Sequence, residues 1–475
     1  WGPWTTAGDQ NGRVEVIRFE ARQADPEVQR LAAAGGDAVM AALTRAGIDT
    51  VSTLGAPGDG RSRSDAELRV TGSVSRDDDG LAINTQIIER ESGVVLLSNR
   101  FVRQGAPVGL IEQAALGIAS PLSCLLEDRK RAGRRLDSQV LSLYLNTCDA
   151  VSREGNAQRM LESARRLIAA APDLAVVHAV FAIAQGNAAR NLRGEGPEAE
   201  ALRRGARASA DRAIRMDAKN SKAYIAMAQS YPAGGYWLER ERNLQKAREA
   251  DPNLGPGRMS YIEVLREVGR LRDAMAIADQ LLTSTDARTS TFSLIPAAFL
   301  SAQTGDMGNA RSHLDQLDRL NPELARGVRW TVLQAWEEPA AAVAQLDEMG
   351  PRGISPTAFV CTRRYLQELP GRIAARARGL PAGCERIPPD RRIRMLARQG
   401  DLDGAYAEFA KLSVAERSFP GFIFYPEMKA FRSDPRFIAL VRELGLVDYW
   451  SKSGHWPDFC AEPGLPYDCR ALARS

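Results

Sequence analysis

The chain has 475 residues, 44% hydrophobic and 26% charged, and its 63 Lys and Arg nearly balance its 59 Asp and Glu. Such a length and composition fit two or more ordinary globular domains. A net charge of +4 argues against a dominant nucleic-acid surface, and the lack of an apolar run of about eighteen residues argues against a bilayer span within the chain.

The sequence opens on Trp1-Gly2-Pro3-Trp4, with neither an initiator Met nor a signal peptide, so it reads as the interior of a longer protein or as a processed product. Indole rings around Gly-Pro suit the rim of a membrane span. Residues 1–9 are therefore expected to be membrane-proximal, with attachment on the N-terminal side of Trp1. Val14 to Phe19 alternate well enough for a strand. Asp25-Pro26-Glu27 then opens a helix with a capping Asp and a first-turn Pro, and Val28, Leu31, Gly35, Val39 and Leu43 line one side of it as far as Gly47. A second strand is expected from Thr50 to Leu54. After it, Gly55 to Ser62 imitate a phosphate-binding loop, but Arg61 stands in the place of the lysine and no long periodic helix follows. A Gly/Ser-rich turn is the better reading.

Three strands come next. Leu68, Val70 and Val74 alternate with polar residues, Asp79-Gly80 turns the chain into Leu81, Ile83 and Ile87, and Ser92-Gly93 turns it again into Val95, Leu97 and Phe101. Asp77-Asp78-Asp79-Gly80 lacks the spaced oxygens and distal Glu of a calcium loop, so it reads as a hairpin turn. Pro107 to Glu127 reads as a helix over the apolar face of this meander, giving a small mixed α/β domain at residues 10–128. Asp128 to Arg135 reads as a charged linker.

Residues 129–445 are expected to be an all-α solenoid, which makes the fold class α+β. From Asn220 to Leu324 the chain repeats with a period of about thirty-four residues, the length of one tetratricopeptide (TPR) helix pair. A turn glycine is followed five residues later by a small alanine at Gly269 and Ala274, Gly305 and Ala310, and Gly400 and Ala405. Breaks after second helices fall at Pro172, Pro252 and Pro322. Stacked pairs of this kind leave a curved polar surface for a partner. Past Leu324 the period loosens around Pro339, Pro351 and Pro356, and it returns at Arg391 to Leu412. Within the array, Tyr231, Tyr236 and Trp237 flank Pro232 to Gly235 in a turn. They are the candidate partner-binding residues, weighed against packing into the neighbouring repeat. The tail, residues 446–475, carries Tyr449, Trp450, Trp456, Phe459 and Tyr467 and is expected to seal the last apolar helix face.

Six cysteines fall as three close pairs, Cys124 with Cys148, Cys361 with Cys384 and Cys460 with Cys469. Neighbour pairing is one of several connectivities open to six thiols. Even, locally paired cysteines favour disulfides and an oxidising compartment; six buried reduced thiols are the alternative. No CxxC spacing is present, His178, His313 and His455 are scattered, and no Ser-His-Asp, Cys-His or paired-carboxylate arrangement can be proposed from spacing. No cofactor, metal or catalytic residue is assigned.

Two blocks resemble a known family. Val14 to Phe19, Ala38 to Leu43, Leu68 to Val74, Ile83 to Ile88 and Gly93 to Phe101 are similar to the TolB-like domain that precedes TPR arrays in bacterial membrane-anchored regulators. Pro426 to Phe437 and Leu444 to Trp450 resemble their closing segment. The chain departs from that pattern between Leu54 and Leu68. The resemblance implies the periplasmic sensory region of a CadC-type winged-helix transcriptional regulator, on the periplasmic side of a bacterial inner membrane. Its DNA-binding domain would lie outside this chain. A protein or peptide partner, a small signal ligand or a homodimer contact is then expected, and no nucleic acid through this region. A periplasmic scaffold and the output region of a cyclase-like signalling protein are the alternatives.

Overall fold

Asp25 starts the first helix. Its carboxylate accepts from the backbone N–H of Glu27 and Val28 at 2.7 and 3.1 Å, and Pro26 takes the first turn, so α1 runs Pro26–Arg45. In this computed structural model, residues 13–52, 66–103, 109–132, 136–152, 157–192, 196–232, 234–252, 255–282, 287–336, 338–417 and 420–471 are described. The loop from Gly55 to Ser62 lies outside them, as do residues 1–12.

The strand expected from Val14 to Phe19 stops at Val16, and a second short strand follows just beyond Phe19. β1 (Val14–Val16) pairs parallel with both β3 (Thr50–Ser52) and β4 (Leu68–Asp77), and β2 (Glu20–Ala21) pairs parallel with β4 further along. Between β1 and β2 the chain drops the Phe19 ring against two glycines: a Cβ on Gly35 of α1 or on Gly72 of β4 would lie 2.5 or 2.6 Å from ring carbons. Burying that ring is worth about 2 kcal/mol. β4, β5 (Gly80–Glu89) and β6 (Val95–Arg103) form the antiparallel meander, and the sheet order is β3-β1-β4-β5-β6. Asp77 pairs with Gly80 across the turn, Gly80 holds φ of 112°, and Asp77 meets Arg100 at 2.5 Å. The acidic run thus serves a hairpin.

α2 (Leu110–Ala132) covers the sheet together with α1 and takes in the first five residues of the segment expected to be a linker, of which 133–135 lie outside the described residues. Asp128 is the reason: it is buried, accepting from Tyr144 and from Lys222 Nζ, the latter at 2.7 Å. Burial and the Asp128 charge push the Tyr144 phenol well above its ordinary range. Leu110–Asp128 is long and apolar enough to cross a membrane by length and composition. Here, however, Leu110, Ile118, Leu122 and Leu125 belong to the core under the sheet. That core extends into α3 (Ser138–Ser152), α4 (Ala157–Ala170) and α5 (Ala175–Asn191).

The chain divides into two compact units, the first drawn from Trp1–Asn191, Ala208–Ala223 and Thr285–Thr289 and the second from the rest. α6 (Gly196–Met216) and α7 (Ser221–Gln229) contribute to both. The second unit continues with α8 (Trp237–Ala250), α9 (Gly255–Glu267), α10 (Leu271–Leu282), α11 (Ala287–Gln303, from Ser290 onward), α12 (Met307–Leu320) and α13 (Pro322–Trp336). α14 (Pro339–Met349), α15 (Pro356–Ala374), α16 (Pro389–Gln399) and α17 (Leu402–Ala410) follow. Short helices α18 (Val414–Arg417) and α19 (Lys429–Arg432) then lead to α20 (Arg436–Glu443) and α21 (Leu446–Ser453).

One turn recurs three times. Gly269, Gly305 and Gly400 sit at φ of 79°, 87° and 89° between α9 and α10, α11 and α12, and α16 and α17. In each the next residue's N–H returns to the carbonyl five residues back, namely Leu265, Ser301 and Leu396. Asp306 and Asp401 cap the following helices through Asn309 and Gly404 N–H. Ala274, Ala310 and Ala405 are fully buried where the paired helices meet. The prolines beyond Leu324 do not loosen the helices: Pro339 and Pro356 occupy first-turn positions of α14 and α15, which pack together.

The tail reaches back to helices far earlier in the chain. Tyr449 and Trp450 of α21 are buried in one core with α8, α9 and α10, and Trp450 Nε1 donates to the Val268 carbonyl at 2.9 Å. Disulfides join Cys124 to Cys148, Cys361 to Cys384 and Cys460 to Cys469, leaving no free cysteine. Three such bonds point to an oxidising, extracytoplasmic environment.

Candidate functional site

The turn between α7 and α8 separates the three aromatic residues proposed from sequence. Gly235, at φ 83°, lets the backbone reverse. Tyr231 and Tyr236 come together on the outside, stacked with centroids 5.5 Å apart, and Tyr236 is 44% exposed. Trp237 instead turns inward, 1% exposed, because its indole N–H finds a buried acceptor in Glu267 Oε2 at 3.1 Å.

Arg207 of α6 completes the outer surface. Its guanidinium lies 5.7 Å from the Tyr231 centroid and donates to the Ser230 carbonyl at 3.0 Å and to Glu200 at 3.2 Å. Arg203 bonds the same Glu200, and these cations hold that carboxyl below its ordinary range. Two phenol rings and a tethered guanidinium can stack on or hydrogen-bond to a partner's side chain, at little entropic cost because they are already ordered. They offer no nucleophile paired with a base.

Behind this surface the residues are locked by charge. Arg240 donates to Glu267 at 2.5 Å, and Glu241 accepts from Arg270 at 2.7 Å, from Tyr261 at 3.0 Å and from Tyr449 at 2.7 Å. Burial pushes the Glu267 carboxyl upward against the pull of Arg240, and burial together with Glu241 raises the Tyr449 phenol. Because each buried charge has a partner, removing one partner costs far more than the pair contributes.

The His178 ring bonds the Pro172 carbonyl at 2.8 Å, and burial holds the His313 ring below its ordinary value. Among the described residues no group of three His, Cys, Asp or Glu is placed to hold a metal ion. Arg207 escaped the sequence reading although the i, i+3, i+4 and i+7 spacing of Glu200, Arg203, Arg204 and Arg207 was a legible ion-pair ladder. Its place beside Tyr231 depends on the turn and had no local signal. No family model matches the chain, and no curated protein matches it in sequence.

Proposed function

We propose that the chain is the periplasmic sensory and protein-interaction region of a membrane-anchored transcriptional regulator, which passes a signal to a DNA-binding domain outside these residues. The observation that carries this reading is the Tyr231–Tyr236 stack beside Arg207, exposed at Tyr236 and half-buried at Tyr231, in a chain with three disulfides. The recurring glycine turns with buried alanines support a TPR-type solenoid. The parallel start and antiparallel meander of the sheet support a TolB-like head. A bound partner can signal only by favouring one of two arrangements of the region.

A second reading, a periplasmic scaffold, is favoured by the buried Glu241–Arg270–Tyr449 network, which ties α8, α10 and α21 firmly together. The test is a photo-crosslinking residue at Tyr236 in the full-length protein in its own cells, with Val360, 64% exposed in the same unit, as control. A defined polypeptide adduct from Tyr236 alone, with altered transcription when Tyr231 and Tyr236 become Ala, supports the regulator. The same adduct with unchanged transcription supports the scaffold, and equal adducts from both positions contradict both readings.

A further inference from the structure

The helices that follow the recurring glycine turns are each capped by an aspartate, but not each by a local one. α12 and α17 use Asp306 and Asp401, the residue next to the turn glycine. At α10 that place holds Arg270, which points into the core at Glu241 and Tyr449. The cap comes instead from Asp458, 186 residues beyond Arg272: its Oδ2 accepts from the Arg272 backbone N–H at 2.7 Å and its Oδ1 from Arg272 Nε at 3.2 Å.

Around that cap, residues 457–469 are seated much as a bound peptide is. Asp458 N–H donates to the Gly269 carbonyl at 2.9 Å, the one backbone–backbone hydrogen bond among the described residues that leaves this segment for the rest of the second unit. Phe459, buried, lies among Phe424, Phe437 and Trp450, with centroids 5.9, 5.5 and 6.0 Å away. Glu462 accepts from Arg432 Nη2 at 2.6 Å, and the Tyr467 hydroxyl donates to the Arg432 carbonyl. Arg432 is buried, and among the described residues Glu462 is the one carboxylate paired with it. The pair is one bond short of a fork, since Arg432 Nε and Glu462 Oε2 are each buried without a partner. Between these anchors Ala461, Pro463, Gly464 and Pro466 are exposed, and the Cys460–Cys469 disulfide closes the segment on itself. A backbone pinned at one point and held by a few side chains is the kind of segment that opens ahead of the rest of a fold.

We propose that residues 457–469 are a detachable strap, an internal ligand on a peptide-binding site made by the N-terminus of α10, Arg432 and the rings of Phe424, Phe437 and Trp450. The site takes an Asp, an aromatic ring next to it and a Glu three residues further on, the spacing of Asp458, Phe459 and Glu462. When the strap leaves, the first amides of α10, a buried guanidinium and three rings lose their partners together, which favours whatever segment supplies them again. Another polypeptide of the same pattern therefore competes with the strap. Gly454, exposed and at φ 73°, gives the strap its hinge.

Fluorescence anisotropy of a labelled synthetic peptide, residues 455–471 with its disulfide closed, tests the proposal on the full chain with all disulfides intact. Wild type is expected to bind the peptide weakly, because the tethered strap competes at an effective concentration of about 1 mM. Asp458→Ala in the chain is expected to tighten that binding roughly tenfold, and the same change in the peptide to weaken it roughly tenfold. Glu462→Gln in the chain, at a side chain 26% exposed, is expected to act in the same direction, so the proposal remains testable if Asp458→Ala folds poorly. No peptide binding to either variant, equal binding by wild type and both variants, or a peptide indifferent to its own Asp458→Ala change overturns the strap and leaves residues 457–469 a fixed part of the core.

Discussion

The Tyr449 hydroxyl donates to Glu241 Oε2 at 2.7 Å across a sequence separation of 208 residues. Both side chains are buried, and Arg270 bridges them, with Nη1 at 2.7 Å from Glu241 and 3.0 Å from the Tyr449 oxygen. The closing helix α21 is thereby bonded to α8 and α10. Tyr449→Phe removes two bonds, one donated to Glu241, which keeps two other donors, and one accepted from Arg270, which keeps its carboxylates, and is expected to cost about 2 kcal/mol. Glu241→Leu leaves Arg270 buried with only the Asp273 side of its pairing, and is expected to cost about 3 kcal/mol or more. Urea unfolding of the two variants checks the order; equal small losses would mean that packing alone holds the tail.

Phe19 gives the corresponding test in the first unit. Its ring fills the space between Gly35 and Gly72, so Gly72→Ala should overpack the core and cost roughly 2–3 kcal/mol. Phe19→Leu in the Gly72→Ala background should recover part of that loss, because the smaller side chain leaves room for the methyl. A Gly72→Ala melting temperature equal to that of wild type would contradict this packing.

Acid should destabilise the second unit through Asp401. Burial works to raise its carboxyl pKa, but bonds from Gly379 N–H at 2.7 Å, Gly404 N–H at 3.1 Å and Arg378 at 2.9 Å outweigh it and hold the group below its ordinary value. A carboxyl depressed in the folded state contributes stability above the unfolded value of about 3.9 and loses it as pH falls through the folded one. Asp401→Asn, which can still cap α17, should therefore flatten the loss of stability on acidification below about pH 4. An unchanged acid limb would show that Asp401 is not among the groups that govern it.

The sequence was most legible where one residue type has one physical use. Asp25 before Pro26 marked the start of α1, and Gly269, Gly305 and Gly400 marked the turns, because few other residues adopt a positive φ. The three disulfides join neighbouring cysteines, one of several connectivities that six thiols left open. Asp128 misled for the opposite reason: a charged run looks the same whether it is solvated or, as here, has one carboxylate buried against Tyr144 and Lys222 from a distant helix. Trp237 misled likewise, since its acceptor Glu267 lies 30 residues away. Arg207 beside Tyr231, and Arg391 over Trp330, are products of helix packing and carried no local pattern.

The account depends on a folded chain that works where thiols are oxidised. The direct measurement is alkylation of free thiols at the moment the source cells are opened, followed by mass spectrometry of the unreduced protein. The account predicts three linked peptides, joining Cys124 to Cys148, Cys361 to Cys384 and Cys460 to Cys469, and no alkylated cysteine. Alkylation at most of the six positions would contradict it and return the chain to a reducing compartment.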